Sequence, residues 1–126
     1  RIVTLDTVDW QTRDEANIPR LGRLFWKDLV GGRGPAAEEM MMGIAEVPPG
    51  EKLKPHHHQQ PEIYYILEGE GLMTLDGEEK QVTSNTAAFI PGNAAHAIEN
   101  TNTTPLRFLY VFPEKSLNEV EYIFEE

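Results

Sequence analysis

The sequence predicts an all-β domain, a small sandwich or barrel of antiparallel strands. Turn signals recur at short, even intervals: Gly31-Gly32, Pro48-Pro49-Gly50, Gly69-Glu70-Gly71, Asp76-Gly77, Pro91-Gly92, Thr103-Thr104-Pro105 and Pro113. The segments between them are short and rich in β-branched and aromatic residues. No stretch carries a sustained helical period, and there is no cysteine, so no disulfide framework or thiolate site substitutes for a packed core. At 126 residues the chain is expected to form one domain, residues 1–126, large enough to bury a core unaided.

Taken in order, strands are expected near 2–5, 22–29, 39–47, 51–57, 62–69, 71–76, 79–84, 86–90, 95–101, 105–112 and 118–124. A short helical turn is expected around Asp14–Asn17, and GGRGPAAE, residues 31–38, reads as a loop. Asp76-Gly77, between LMTL and EEKQV, predicts a hairpin of the type I′ kind. Met40-Met41-Met42 is expected to fill the core rather than bind a soft metal.

The formal net charge is −10 and the pI about 4.8, which argues against nucleic acid or an anionic membrane as partner. No apolar run approaches membrane-spanning length, and RIVTLDTVDW shows no apolar signal segment. Asn102-Thr103-Thr104 matches a glycosylation acceptor without other signs of secretion, so a cytoplasmic protein acting on a small molecule is expected.

The chemistry concentrates at His56-His57-His58, with Glu62 following and His96 further on; these are all 4 histidines of the chain. On a strand, alternate residues share a face, so His56 and His58 point one way and His57 the other. Glu62 and Tyr64 keep that parity if the intervening stretch preserves register. Imidazoles with a carboxylate suit one divalent transition metal: Fe, Mn, Ni, Co, Zn or Cu. Three His and one Glu leave one or two coordination positions for water or substrate, as catalytic sites do.

GEKLKPHHHQQPEIYYILEG, residues 50–69, resembles the first motif of the cupins, through Gly50, His56, His58, Glu62 and Gly69. Residues 85–100, NTAAFIPGNAAHAIEN, resemble the second, through Pro91, His96 and Asn100. Asn85 and Asn93 stand where the family usually has glycine, and Asn is the residue that next best tolerates positive φ. The resemblance implies a cupin-type double-stranded β-helix, a jelly-roll barrel over roughly 39–113, flanked by N-terminal strands in 1–38 and a C-terminal strand in 114–126. It also implies a metal bound by His56, His58, Glu62 and His96, and a homodimer.

A narrower resemblance covers WKDLV at 26–30, GIAEVPPG at 43–50, EIYY at 62–65, IPGNAAHAIEN at 90–100 and LRFLYVFPEKSLNEVEY at 106–122. These look like the small cupin dimethylsulfoniopropionate (DMSP) lyases of marine bacteria. That family eliminates dimethyl sulfide from a carboxylate substrate, and the resemblance carries the role of base onto Tyr64. A sulfonium substrate favours aromatic faces, so Tyr122, Trp26, Phe108 and Tyr110 are expected at the substrate, with Tyr122 ranked first through its match to the lyase tail. Lys27 and Arg107 could meet a carboxylate, but surface roles are expected for both. The alternatives are another metal-dependent enzyme on the same barrel (an oxygenase, isomerase or decarboxylase) or a non-catalytic small-molecule binder, because fold does not choose among them.

Overall fold

The computed structural model describes residues 2–31, 40–113 and 120–125. Most of the expected loop at 31–38 and the first part of the expected strand at 118–124 lie outside these residues.

Eleven short strands form among the described residues: β1 Gln11–Thr12, β2 Phe25–Val30, β3 Met41–Val47, β4 Lys52–His57, β5 Glu62–Glu68, β6 Glu70–Leu75, β7 Glu78–Thr83, β8 Ala87–Ile90, β9 His96–Asn100, β10 Leu106–Phe112 and β11 Ile123–Phe124. They make two antiparallel sheets that together form the jelly roll. One runs β1-β2-β3-β10-β5-β8, the other β11-β4-β9-β6-β7. A single helical turn, α1, covers Ile18–Leu21.

Burial alternates along the strands as a sheet with one wet face requires. In β10, Leu106, Phe108, Tyr110 and Phe112 are buried, while Arg107, Leu109 and Val111 between them are less so. In β5, Glu62, Tyr64 and Ile66 point inward. Facing them across the barrel are Leu53, Met73, Val82 and Ile98 of the second sheet. Each such large apolar side chain contributes about 1.5–3 kcal/mol on leaving water. The outward residues Ile63, Tyr65 and Leu67 of β5, with Phe89 of β8, form an exposed apolar patch.

Turn chemistry follows the sequence closely. Asp76 and Gly77 have φ of 49° and 81°, the positive pair a type I′ turn demands, and they join β6 to β7. Asn85 and Asn93 sit at φ 66° and 64°, the left-handed positions that favour glycine. Asn100 is buried at the far end of β9. Its amide donates to the carbonyls of Val47 (2.9 Å) and Thr104 (2.8 Å), and its carbonyl accepts from the Asn102 N–H (2.9 Å).

The differences from expectation lie at the ends of the chain. Residues 2–5 are not a strand. Leu5–Thr7 is a 3₁₀ turn, with the Thr7 N–H and hydroxyl both donating to the Thr4 carbonyl, so local bonds replace a sheet ladder. The expected helical turn is a 3₁₀ turn at Glu15–Asn17 that continues into α1, whose first turn accommodates Pro19. Among the described residues the C-terminal strand covers Ile123–Phe124, paired with His57 and His56 of β4, and residues 120–122 are not strand. The methionine run divides by strand alternation: Met41 is in the core, whereas Met40 is 58% exposed.

Candidate metal centre

Strand β4 carries the first candidate ligand, and a proline positions it. Leu53 and His56 both face the interior although they are three residues apart. The register against β9 shifts between them, where Pro55 has no N–H to offer the ladder. This rephasing sets His56 directly opposite His96, with ring centroids 4.2 Å apart. His58 follows on the same side, and the turn through Gln59–Pro61 preserves parity, so Glu62 and Tyr64 also point inward. His57 is half-buried, paired with Ile123, and stays outside the cluster.

His56, His58, Glu62 and His96 are all buried. One ring nitrogen from each histidine falls within 4.8 Å of the others, a grouping able to hold a metal ion. The second ring nitrogens explain the aim. Nδ1 of His56 meets the Lys54 carbonyl at 2.8 Å, that of His58 the Gln60 carbonyl at 2.8 Å, and that of His96 the Ala94 carbonyl at 2.9 Å. A carbonyl only accepts, so each Nδ1 carries a ring proton, and Nε2 is the nitrogen left to present a lone pair to an ion. Backbone carbonyls holding the far nitrogen in this way are the usual support of a metal-binding histidine.

Those lone pairs converge on a carboxylate. Glu62 Oε1 lies 3.1 Å from His58 Nε2 and 3.3 Å from His96 Nε2. His96 Nε2 is fully buried and makes no hydrogen bond among the described residues. Buried imidazole nitrogens converging on a carboxylate form a donor set that suits a divalent transition metal. Protonation is a poor substitute at His56. Burial, then the neighbouring His96, lowers its pKa from the ordinary 6.5 to about 3.

The cluster borders a cavity of about 490 Å³ through His56 and Glu62, and Tyr64 lines the same cavity. Tyr64 is buried, its ring 4.4 Å from Phe108 and 6.0 Å from His96. Burial holds its phenol well above the ordinary value; Glu62 adds to this and Arg13 opposes it. Trp26 and Phe108 line the same cavity. Tyr122, 40% exposed, stands at the rim with its ring 5.3 Å from His58 and 5.8 Å from His56. Tyr110 also lines the cavity, but its hydroxyl donates away from it, to Asp28 Oδ1 at 2.9 Å. It reaches Asp28 by crossing Gly43, where a side chain would overlap the phenol ring.

Lys27 and Arg107 are not in the cavity lining. Lys27 is buried rather than at the surface. Its Nζ donates to the Leu5 carbonyl at 3.0 Å and sits 4.8 Å from the Trp10 ring centroid. The stem is covered and the charge satisfied locally. Arg107 pairs with Glu46 at 2.8 Å. Sequence reasoning passed over Arg13, Arg20 and Phe124, which line the cavity from the two ends of the chain. The Phe124 ring stacks on His56 at 4.9 Å. No local motif marks them, because they reach the site only through the β11–β4 pairing and the turn before β2.

The cupin domain family matches residues 43–112, the span that holds both histidine segments and most of the strands around them. The chain belongs to the cupins. DMSP lyase DddW of Ruegeria pomeroyi is 40% identical to this cupin over 106 residues, which is 84% of this chain and 69% of that protein. The oxalate-binding protein of Thermotoga maritima is 39% identical over 67 residues, and the chain spans about half of it, 55%. In a solved structure from work on the DMSP lyases RdDddP and RnDddQII, the fold superposes with a TM-score of 0.76, covering 94% of this chain and 63% of that one. At 21% identity, that likeness speaks for the fold alone.

Proposed function

We propose that this cupin is a metal-dependent lyase that removes dimethyl sulfide from DMSP, leaving acrylate. The observation that carries the reading is the three-histidine and Glu62 cluster, which meets Tyr64 at one cavity through His56 and Glu62. The similarity to DMSP lyase DddW, which extends over 84% of the chain, supports the choice of substrate. His56, His58, Glu62 and His96 would hold the ion. When bound, a divalent ion supplies Lewis acidity to the substrate carboxylate.

Tyr64 takes the proton from the carbon next to the carboxylate. The carbon–sulfur bond then breaks, dimethyl sulfide leaves with the bonding electrons, and a double bond forms in acrylate. Tyr64 passes its proton to solvent, which balances a zwitterion giving a neutral sulfide, an anion and a proton. Tyr64 needs positive charge nearby to act this way, because burial alone favours its neutral form. Arg13 supplies part of that charge. Trp26, Phe108 and Tyr122 would face the sulfonium methyls.

The test is headspace dimethyl sulfide from protein loaded in turn with Fe(II), Mn(II), Ni(II), Co(II) and Zn(II). Silence with every ion would remove the lyase reading. Tyr64→Phe is expected to abolish release while leaving metal content intact. A second reading, a non-catalytic cupin that holds a small dicarboxylate, is favoured by the similarity to the oxalate-binding protein. It predicts tight oxalate binding and no turnover of DMSP.

A further inference from the structure

The cavity lining is charge-balanced in an otherwise acidic molecule. The chain carries a formal −10, yet two arginines, Arg13 and Arg20, line the cavity beside Asp14 and Glu62. Other arginines nearby are matched by acid. Arg23 sits 3.7 Å from Glu15 and 3.8 Å from Glu51, and Arg107 lies between Glu46 and Glu68. Arg13 is half-buried, and among the described residues no carboxylate pairs with it. Its polar contact among the described residues is a donation from Nη1 to the Gly22 carbonyl at 3.0 Å, and its guanidinium lies 5.8 Å from the Phe124 ring centroid.

That bond and that ring hold the side chain against the wall, and among the described residues most of its N–H donors have no partner. A partly desolvated, unpaired guanidinium is costly to keep in a protein with so much acid available. The cost is recovered when an anion enters, and a planar fork suits a carboxylate. Phe124 ties this position to the metal cluster, since its other contact is the stack on His56. A ligand reaching the histidines therefore passes within the field of Arg13.

We propose that Arg13 is a specificity-determining residue, making the cavity select small carboxylate anions over neutral ligands of the same shape. This rests on the carboxylate part of the proposed function and requires no turnover. It assigns to the segment before β2 the recognition of the acid group, alongside the ion held by the barrel.

The probe is a non-reacting pair: 4-methylpentanoate, in which carbon replaces the sulfonium sulfur of DMSP, and its amide. Binding to the zinc-loaded protein is followed by calorimetry, with zinc content measured for each variant. The acid should bind better than the amide. Arg13→Met should lower affinity for the acid about tenfold and leave the amide unchanged, a loss typical of one charge-assisted pair. Arg13→Lys, which keeps the charge without the fork, should recover part of the difference and serves if the methionine variant does not fold. An unchanged acid-to-amide ratio in both variants would overturn the proposal and leave the ion as the sole reader of the carboxylate. Preserved selectivity with no dimethyl sulfide release would instead count against the lyase reading alone.

Discussion

The buried imidazole of His56 gives a quantitative prediction about acid. Its pKa is lowered to about 3 in the folded chain, first by burial and then by His96, against 6.5 for an ordinary histidine. In the unfolded chain His56 takes up a proton as pH falls through 6.5; in the folded chain it does not until near 3. The unfolded state therefore binds more protons across that window, and stability must fall as pH falls. For the metal-free protein, one such group costs about 2.5 kcal/mol between neutrality and about pH 4.5, from the difference in proton uptake of the two states. Other groups add their own acid dependence, so the measurement is a comparison. Urea unfolding of chelator-treated wild type and His56→Gln is followed at both pH values, and the excess loss in wild type is the contribution of His56. Equal pH slopes for the two proteins would refute the reasoning, because His56 would then titrate alike in both states. A steeper slope in the variant would be worse still.

Two further perturbations probe the scaffold. Asn100→Ala removes a buried amide that joins β9 to the Val47 and Thr104 carbonyls and caps the turn at Asn102. It should cost about 3 kcal/mol in chemical unfolding, at roughly 1 kcal/mol per bond; Asn100→Asp should cost more, since a carboxylate would face two carbonyls, and a change within about 0.5 kcal/mol would contradict the bond pattern. Gly43→Ala sets a methyl group into the path of the Tyr110 ring and 2.6 Å from the Lys27 carbonyl. Overpacking of this kind should cost about 1–3 kcal/mol, and an unchanged melting temperature would show that Tyr110 does not cross Gly43 as described.

How much was legible in the sequence depends on how local each signal is. The period-2 parity through His56, His58, Glu62 and Tyr64 is a property of a few consecutive residues, and those side chains do share the interior. The turn at Asp76-Gly77 and the left-handed Asn85 and Asn93 are likewise decided by φ preferences of single residues. The rephasing at Pro55 was readable in principle, since proline cannot donate to a ladder, but its consequence depends on β9, far along the chain. Residues 2–5 carry strand-forming side chains, yet among the described residues no strand pairs with them. Propensity describes a residue's preference; a ladder needs a partner. Lys27 misleads for a related reason: the Trp10 ring that covers it belongs to a segment with no regular pattern.

The same division separates holding an ion from choosing a ligand. The family match stops at residues 43–112, and that span supplies every histidine of the cluster and Glu62. Much of the cavity outside it comes from residues 12–26 and 122–124, including both arginines and the ring stacked on His56. A barrel that presents imidazoles and a carboxylate to an ion can be shared by proteins with different substrates, because the ion's needs do not depend on them. The walls added by the flanking segments are free to differ. Discrimination among small acids should therefore follow Arg13, Trp26 and Tyr122, whereas metal content should follow the histidines. Substitutions at Arg13 or Tyr122 that stripped the metal would mean that the two functions are not separable in this fold.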